Sequence, residues 1–224
     1  MASSAVRETN RISGHYGIDP APERDRQTTW KEFIKRHWDQ IVATDFFTIE
    51  VWTRNGLQRF VILFFLELST RRVQIGGIGE SPNGVWMTQI ARNLTDAVDG
   101  FFIGKQYLIH DRDPLFTAEF LQILAEVGVE SVKLPPRSPN LNAYAERFVR
   151  TIKENCLERM IIFGQDSLRH AVREFVTHYH TERNHQGLGN NLIIATGGNA
   201  RRDGAVHKRE RLGGMFNFYY REAA

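Results

Sequence analysis

The sequence is poor in several things that would set it apart from ordinary soluble globular proteins. It has one cysteine, Cys156, in 224 residues, so no internal disulfide can form and a cysteine-built zinc site is excluded. An intracellular protein is the expectation. Long apolar runs are also missing. The strongest, Phe60 to Leu66, is too short to span a membrane and suits a buried strand. The first thirty residues are polar and carry no apolar stretch of signal-peptide type. A soluble, cytoplasmic chain is therefore expected. Nor does one charge dominate: 29 basic against 26 acidic residues leave +3, a balance that permits a nucleic-acid partner without requiring one. No internal repeat or low-complexity tract interrupts the chain.

What is present is enough apolar material, 42% of residues, to build a core. Residues 1–39 read as a polar linker followed by a short helix through TWKEFIKRHW, capped by Thr28 or Thr29. A β-rich block follows. IVATDFFTIEVW and RFVILFFLEL flank Asn55-Gly56, a strong hairpin signal, and RRVQIGGIG adds a third strand to an antiparallel meander. SPNGVWMTQIARNLTDAV starts from Ser81-Pro82 and is expected to place Val85, Ile90, Leu94 and Val98 on one helical side. KQYLIHD is a strand, FTAEFLQILAEVG a helix closed by Gly128, and VESVKLPP a strand stopped by prolines. After the RSPNLN loop come a long helix, AYAERFVRTIKENCLERMI, and a further one through SLRHAVREFVTHYHTERN. The order β-β-β-α-β-α-β-α-α predicts an α/β protein whose mixed five-stranded sheet is covered by helices. Residues 40–190 form this core, and 191–224 form a tail ending in a short β segment.

Three carboxylates stand out by position. Asp45 interrupts an apolar strand, where a charge is costly unless its face is exposed or a cation meets it. Asp111 sits where a strand runs out, a recurrent ligand position in α/β proteins, although Asp-Arg-Asp-Pro is also good turn chemistry. Glu146 lies in the first turns of the long helix and shares a face with Arg150 and Lys153 at i+4 and i+7. Singly, each is equally well read as a surface or turn residue.

The set is more specific. Asp111 and Glu146 stand 35 positions apart, and with Asp45 they resemble the D,D-35-E signature of the retroviral-integrase-like transposases and integrases. Over roughly residues 40–190, five segments agree in order. ATDFFTIEV resembles the first catalytic strand, and LSTRRVQIGGI the third-strand region, with Glu67 where the family has Asp. LIHDRDPLFTAEF resembles the second-aspartate segment, and VKLPPRSPNLNAYAERFVRTIKENCL the glutamate segment. HYHTERNHQGL resembles the motif that follows it, with Asn184 in place of proline.

The resemblance implies a ribonuclease-H-like fold and a DDE catalytic core that cleaves DNA 3′ ends and transfers strands. Asp45, Asp111 and Glu146 are then the catalytic and metal-binding residues, holding two Mg²⁺ or Mn²⁺ ions, with Asp45 bridging both. Hard carboxylate oxygens suit such ions. Asn140, Asn142, Arg147, Arg150 and Lys153 are the candidate DNA-backbone contacts. The implied partners are transposon ends and target DNA, in a homo-oligomer or a mixed oligomer with full-length transposase, with no membrane and a place on the nucleoid when bound.

Asp113 stands where the family has glycine, and Asp111 is preferred as ligand because Asp113 lies past the strand. His178 and His180 point about 200° apart on a helix, so they are expected to pack rather than share an ion. Family members carry an N-terminal helix-turn-helix region, whereas about 40 residues precede the first catalytic strand here. The recognition domain is accordingly expected to be largely absent. Two alternatives stay open: a truncated, non-autonomous remnant that modulates an intact transposase, and a structure-specific nuclease on the same fold.

Overall fold

The computed structural model describes residues 29–134, 142–195 and 204–221. Helix α1 (Trp30–Arg36) opens on a capping box: Thr29 accepts from the Glu32 backbone N–H, and the Glu32 carboxylate accepts from that of Thr29. Strands β1 (Ile41–Thr53) and β2 (Gly56–Glu67) then form the long hairpin that Asn55-Gly56 predicts. Gly56 takes φ +97°, a backbone setting that side-chain-bearing residues rarely adopt. Strand β3 (Val73–Gly79) completes the meander.

Helix α2 (Gly84–Leu94) leads to β4 (Tyr107–His110), helix α3 (Ala118–Glu126) and β5 (Glu130–Lys133). Helices α4 (Ala143–Asn155) and α5 (Gly164–Thr181) follow. The five strands lie in the order β3-β2-β1-β4-β5, with β2 antiparallel to both β1 and β3, β4 parallel to β1, and β5 parallel to β4. The expected mixed five-stranded sheet is therefore observed.

Each face of the sheet carries its own core, because successive strand residues point to opposite sides. Ile41, Ala43, Phe47 and Ile109 face α4 and α5, where Phe148 sits 4.7 Å from the Phe64 ring and 5.4 Å from that of Tyr179. Val42, Leu63, Phe65 and Leu108 face α2 and α3. On that side β3 must be thin. A Cβ on Gly77 would lie 2.4 Å from the Trp86 ring and one on Gly76 would lie 2.6 Å from Phe65.

Two helix expectations need correction. In α2, Asn83 is the cap, accepting from the Trp86 N–H, and the buried side is Met87, Ile90, Ala91 and Leu94. Val85 and Val98 are 80% and 89% exposed. The helix stops at Leu94, and Asp96 then accepts from the Val98 and Asp99 N–H groups in a local turn. The long helix after the RSPNLN loop also ends early, at Asn155, and the chain bends to bury Cys156 and Leu157.

The tail forms a hairpin, β6 (His207–Arg211) and β7 (Phe216–Tyr220). It packs on α5 through Phe216, which stacks on His178 at 4.6 Å, and through Arg211, which reaches Glu182 and Glu174. No helix among the described residues is long and apolar enough to cross a membrane.

Candidate active site

Strand register brings the two aspartates together. The parallel offset that pairs Ile41 with Tyr107 and Ala43 with Ile109 carries Asp45 opposite Asp111, just past the last paired residues. Neighbouring strands run about 4.8 Å apart. Asp45 shares the parity of Ala43 and Phe47, and Asp111 that of Ile109, so both belong to the face covered by α4 and α5.

Helix α4 is fastened over this point. The Asn142 side-chain amide donates to the Thr44 carbonyl at 3.1 Å, one residue before Asp45. Glu146 lies one turn farther on, on the same side of the helix. Its place in the first turn also suits a negative charge against the helix dipole.

The electrostatics register this convergence. Asp45 is half-buried, and its carboxyl is pushed up to about 6, first by loss of water and then by the negative charges of Asp111, Glu146 and Asp113. A hydrogen bond from the Phe46 N–H, 2.8 Å from Oδ1, opposes the rise without cancelling it. Four acids from three segments thus share one field. Among the described residues no group of three or more His, Cys, Asp or Glu side chains is arranged so that it could hold a metal ion. The donor set is nonetheless chemically suited to a hard divalent cation, which would relieve the like-charge repulsion.

Asp111 and Asp113 have different local tasks. Asp111 Oδ1 accepts from the Asp113 N–H at 3.1 Å, and Asp113 Oδ1 accepts from the Leu115 N–H at 2.8 Å. Two successive Asx turns therefore end β4, and Asp113 holds negative φ where a glycine would not be needed. His110 points to the opposite face, with Nε2 2.7 Å from Ser131 Oγ and its ring against Phe116. Burial lowers its basicity.

The expected DNA contacts divide. Arg147 and Arg150 are exposed on α4, and Lys153 is half-buried with Nζ 6.0 Å from the centre of the Phe47 ring. Asn142 is only 7% exposed and uses its amide on β1, which suits a fastening role better than a contact with DNA. Asn140 lies outside the described residues. Glu67 is a buried structural acid, 3.3 Å from Lys105 and hydrogen-bonded by Thr70.

The three histidines pack. His180 Nε2 accepts from the Val73 N–H at 2.9 Å, His185 Nε2 donates to the Tyr179 carbonyl at 2.7 Å, and His178 pairs with Glu182. Sequence reasoning missed the Asn142–Thr44 fastening and a cluster of arginines around α4, because both join residues far apart in the chain.

Residues 127–191 match the family model described as an integrase core domain. Among solved structures, the magnesium complex of the HTLV-2 integrase catalytic core domain in its trimeric form superposes with a TM-score of 0.52. It is 10% identical, and the match covers 69% of this chain and 93% of that one. The fold is that of an integrase catalytic core. The BIV integrase core (TM-score 0.48, 14% identity, 69% and 91% covered) is a weaker likeness. Comparison with curated protein sequences gives no match. The integrase core match runs from the end of α3 through α5, so it contains Glu146 but stops short of Asp45 and Asp111.

Proposed function

We propose that the chain is the catalytic core of a DDE transposase or integrase, cutting DNA 3′ ends and joining them to target DNA. The observation that carries this is the shared field of Asp45, Asp111 and Glu146, which come from two parallel strands and the helix fastened over them. Asp45, Asp111 and Glu146 would hold two Mg²⁺ or Mn²⁺ ions, which when bound supply an activated oxygen nucleophile and stabilise the leaving oxygen in phosphodiester exchange.

The chain's own residues do the positioning. Asn142 fixes the entry of α4 on β1 one turn before Glu146, whose charge is felt at Asp45. The Asx turns after β4 hold the Asp111 carboxylate at the strand end. Phe47, Phe64 and Phe148 form an apolar floor beneath the acids, which keeps water from screening them. Arg150 and Lys153 lie on the Glu146 side of α4 and Arg147 beside it, where cations meet the phosphates of the strand being joined. The working form is proposed to be a multimer on transposon ends and target DNA, alone or mixed with full-length transposase. Inside the cell it would be cytoplasmic and nucleoid-bound.

Purified protein with Mn²⁺ should join a pre-nicked oligonucleotide to plasmid DNA, and Glu146→Gln should reduce joining by at least about a hundred-fold. Equal joining by that variant overturns the reading. Preferential cleavage of an RNA–DNA hybrid or a four-way junction would point instead to a structure-specific nuclease.

A further inference from the structure

Around α4 from Glu146, a cleft of about 330 Å³ opens between that helix, the β2–β3 turn and the segment after α5. Arg71, Arg147 and Arg183 line it with Tyr144, Tyr179 and His185, and among the described residues no carboxylate does. The three arginines come from distant parts of the chain, yet among the described residues none of them takes part in an ion pair. Like charges gathered without counter-charge repel one another, so the arrangement favours an anionic occupant.

The cleft is also built rather than incidental. Arg71 has left-handed backbone, φ 64°, which places its guanidinium 3.9 Å from the centre of the Tyr144 ring and 5.1 Å from that of Trp38. One of its nitrogens donates to the Leu68 carbonyl, leaving the rest of the fork for a ligand. Across the cleft, the Arg183 guanidinium lies 5.9 Å from the centre of the Tyr179 ring. His185 is held by its bond to the Tyr179 carbonyl. Burial lowers the basicity of His185, and Arg183 and Arg71 lower it further, so their field reaches into the space.

We infer that this cleft is a phosphate site for a DNA strand, seating one backbone phosphate between Arg71, Arg147 and Arg183. The inference rests on the DNA-joining reading for the identity of the anion. Arg147 follows Glu146 directly, about 100° round the helix. A strand crossing α4 would therefore be gripped beside the carboxylates and reacted at them. Such a grip reads no sequence and sets register alone.

The test is binding of a labelled nicked duplex by fluorescence anisotropy in EDTA, from 50 to 200 mM salt. Proteins compared are the wild type, Arg183→Gln, Arg147→Gln, the double variant, and Arg92→Gln as an exposed control on α2. Circular dichroism and melting check the fold. Arg183→Gln and Arg147→Gln should each weaken binding about ten-fold at ~100 mM salt and lower the slope of log K against log salt by about one. Arg92→Gln should leave the slope unchanged. If the wild type binds and joins DNA while Arg183→Gln and Arg147→Gln keep its affinity and slope, the cleft is not a phosphate site and the joining reading stands. If the wild type binds with the predicted arginine dependence but joins nothing, the cleft stands and the joining reading falls. A wild type that binds no DNA overturns both.

Discussion

Glu182 and Asp45 are both carboxylates drawn out of water, Glu182 fully and Asp45 in part, and they end with opposite acidities. Burial pushes the Glu182 carboxyl upward, but hydrogen bonds from Arg211 and His178 outweigh it, and the group is held below the usual range. Arg211 grips it with Nε at 2.9 Å and Nη2 at 2.7 Å, and Arg209 stands 3.4 Å away. Asp45 meets the reverse. Its neighbours are Asp111, Glu146 and Asp113, and its carboxyl rises to about 6. A fold that only needed stability would treat the two alike. One carboxylate is surrounded by cations from the chain itself, and the other by like charge.

Four substitutions can break or sharpen that contrast. Arg211→Ala should be the most damaging, because it strips a side chain with no exposure of its main counter-charge. A loss of about 3–5 kcal/mol is expected in urea unfolding. A loss below about 1 kcal/mol would mean that Arg209 and His178 suffice.

His180 gives the next effect. Burial pushes its imidazole down to about 4, since the neutral ring accepts from the Val73 N–H. The folded state then binds fewer protons than the unfolded one between about pH 4 and 6.5. Stability is thus lost as pH falls through that window, by roughly 2–3 kcal/mol for this group. His180→Gln should flatten that limb of the stability profile.

Asp45 has the opposite sign. With its folded pKa raised to about 6, the folded state holds the proton longer than the unfolded state does. Stability therefore falls as pH rises from about 4 to 6. At pH 7.5 without divalent ions, Asp45→Asn should be more stable than the wild type by about 1–3 kcal/mol. The smallest change should come from Arg59→Ala. It removes a 3.7 Å pair with Glu50 in which both side chains are more than half exposed, so stability should move by less than about 1 kcal/mol.

Much of the fold was legible because its signals are local. Asn55-Gly56 sets the first hairpin, Thr29 with Glu32 starts α1, and Gly128, at φ +82°, closes α3. The readings that failed used local patterns past their range. Val98 continues the apolar period of α2 on paper, but the Asp96 turn ends the helix before it, and Val85 lies five positions from Ile90, about 140° round the helix from the buried side. The acids could be chosen from the sequence only through the resemblance. Their meeting depends on the register of β1 against β4 and on Asn142 reaching Thr44 across 98 positions. Arg71, Arg147 and Arg183 are separated in the same way, and no spacing rule links them.

The central proposal is that the acids around Asp45 bind a divalent cation. It is tested most directly by melting the wild type and Asp45→Asn at pH 7.5, with EDTA and with Mn²⁺. In EDTA the variant should melt higher. Saturating Mn²⁺ should raise the wild type by several degrees and leave the variant nearly unmoved, since ligand binding stabilises only a folded state that can bind. A wild type that melts at or above the variant in EDTA, and does not respond to Mn²⁺, would contradict the account.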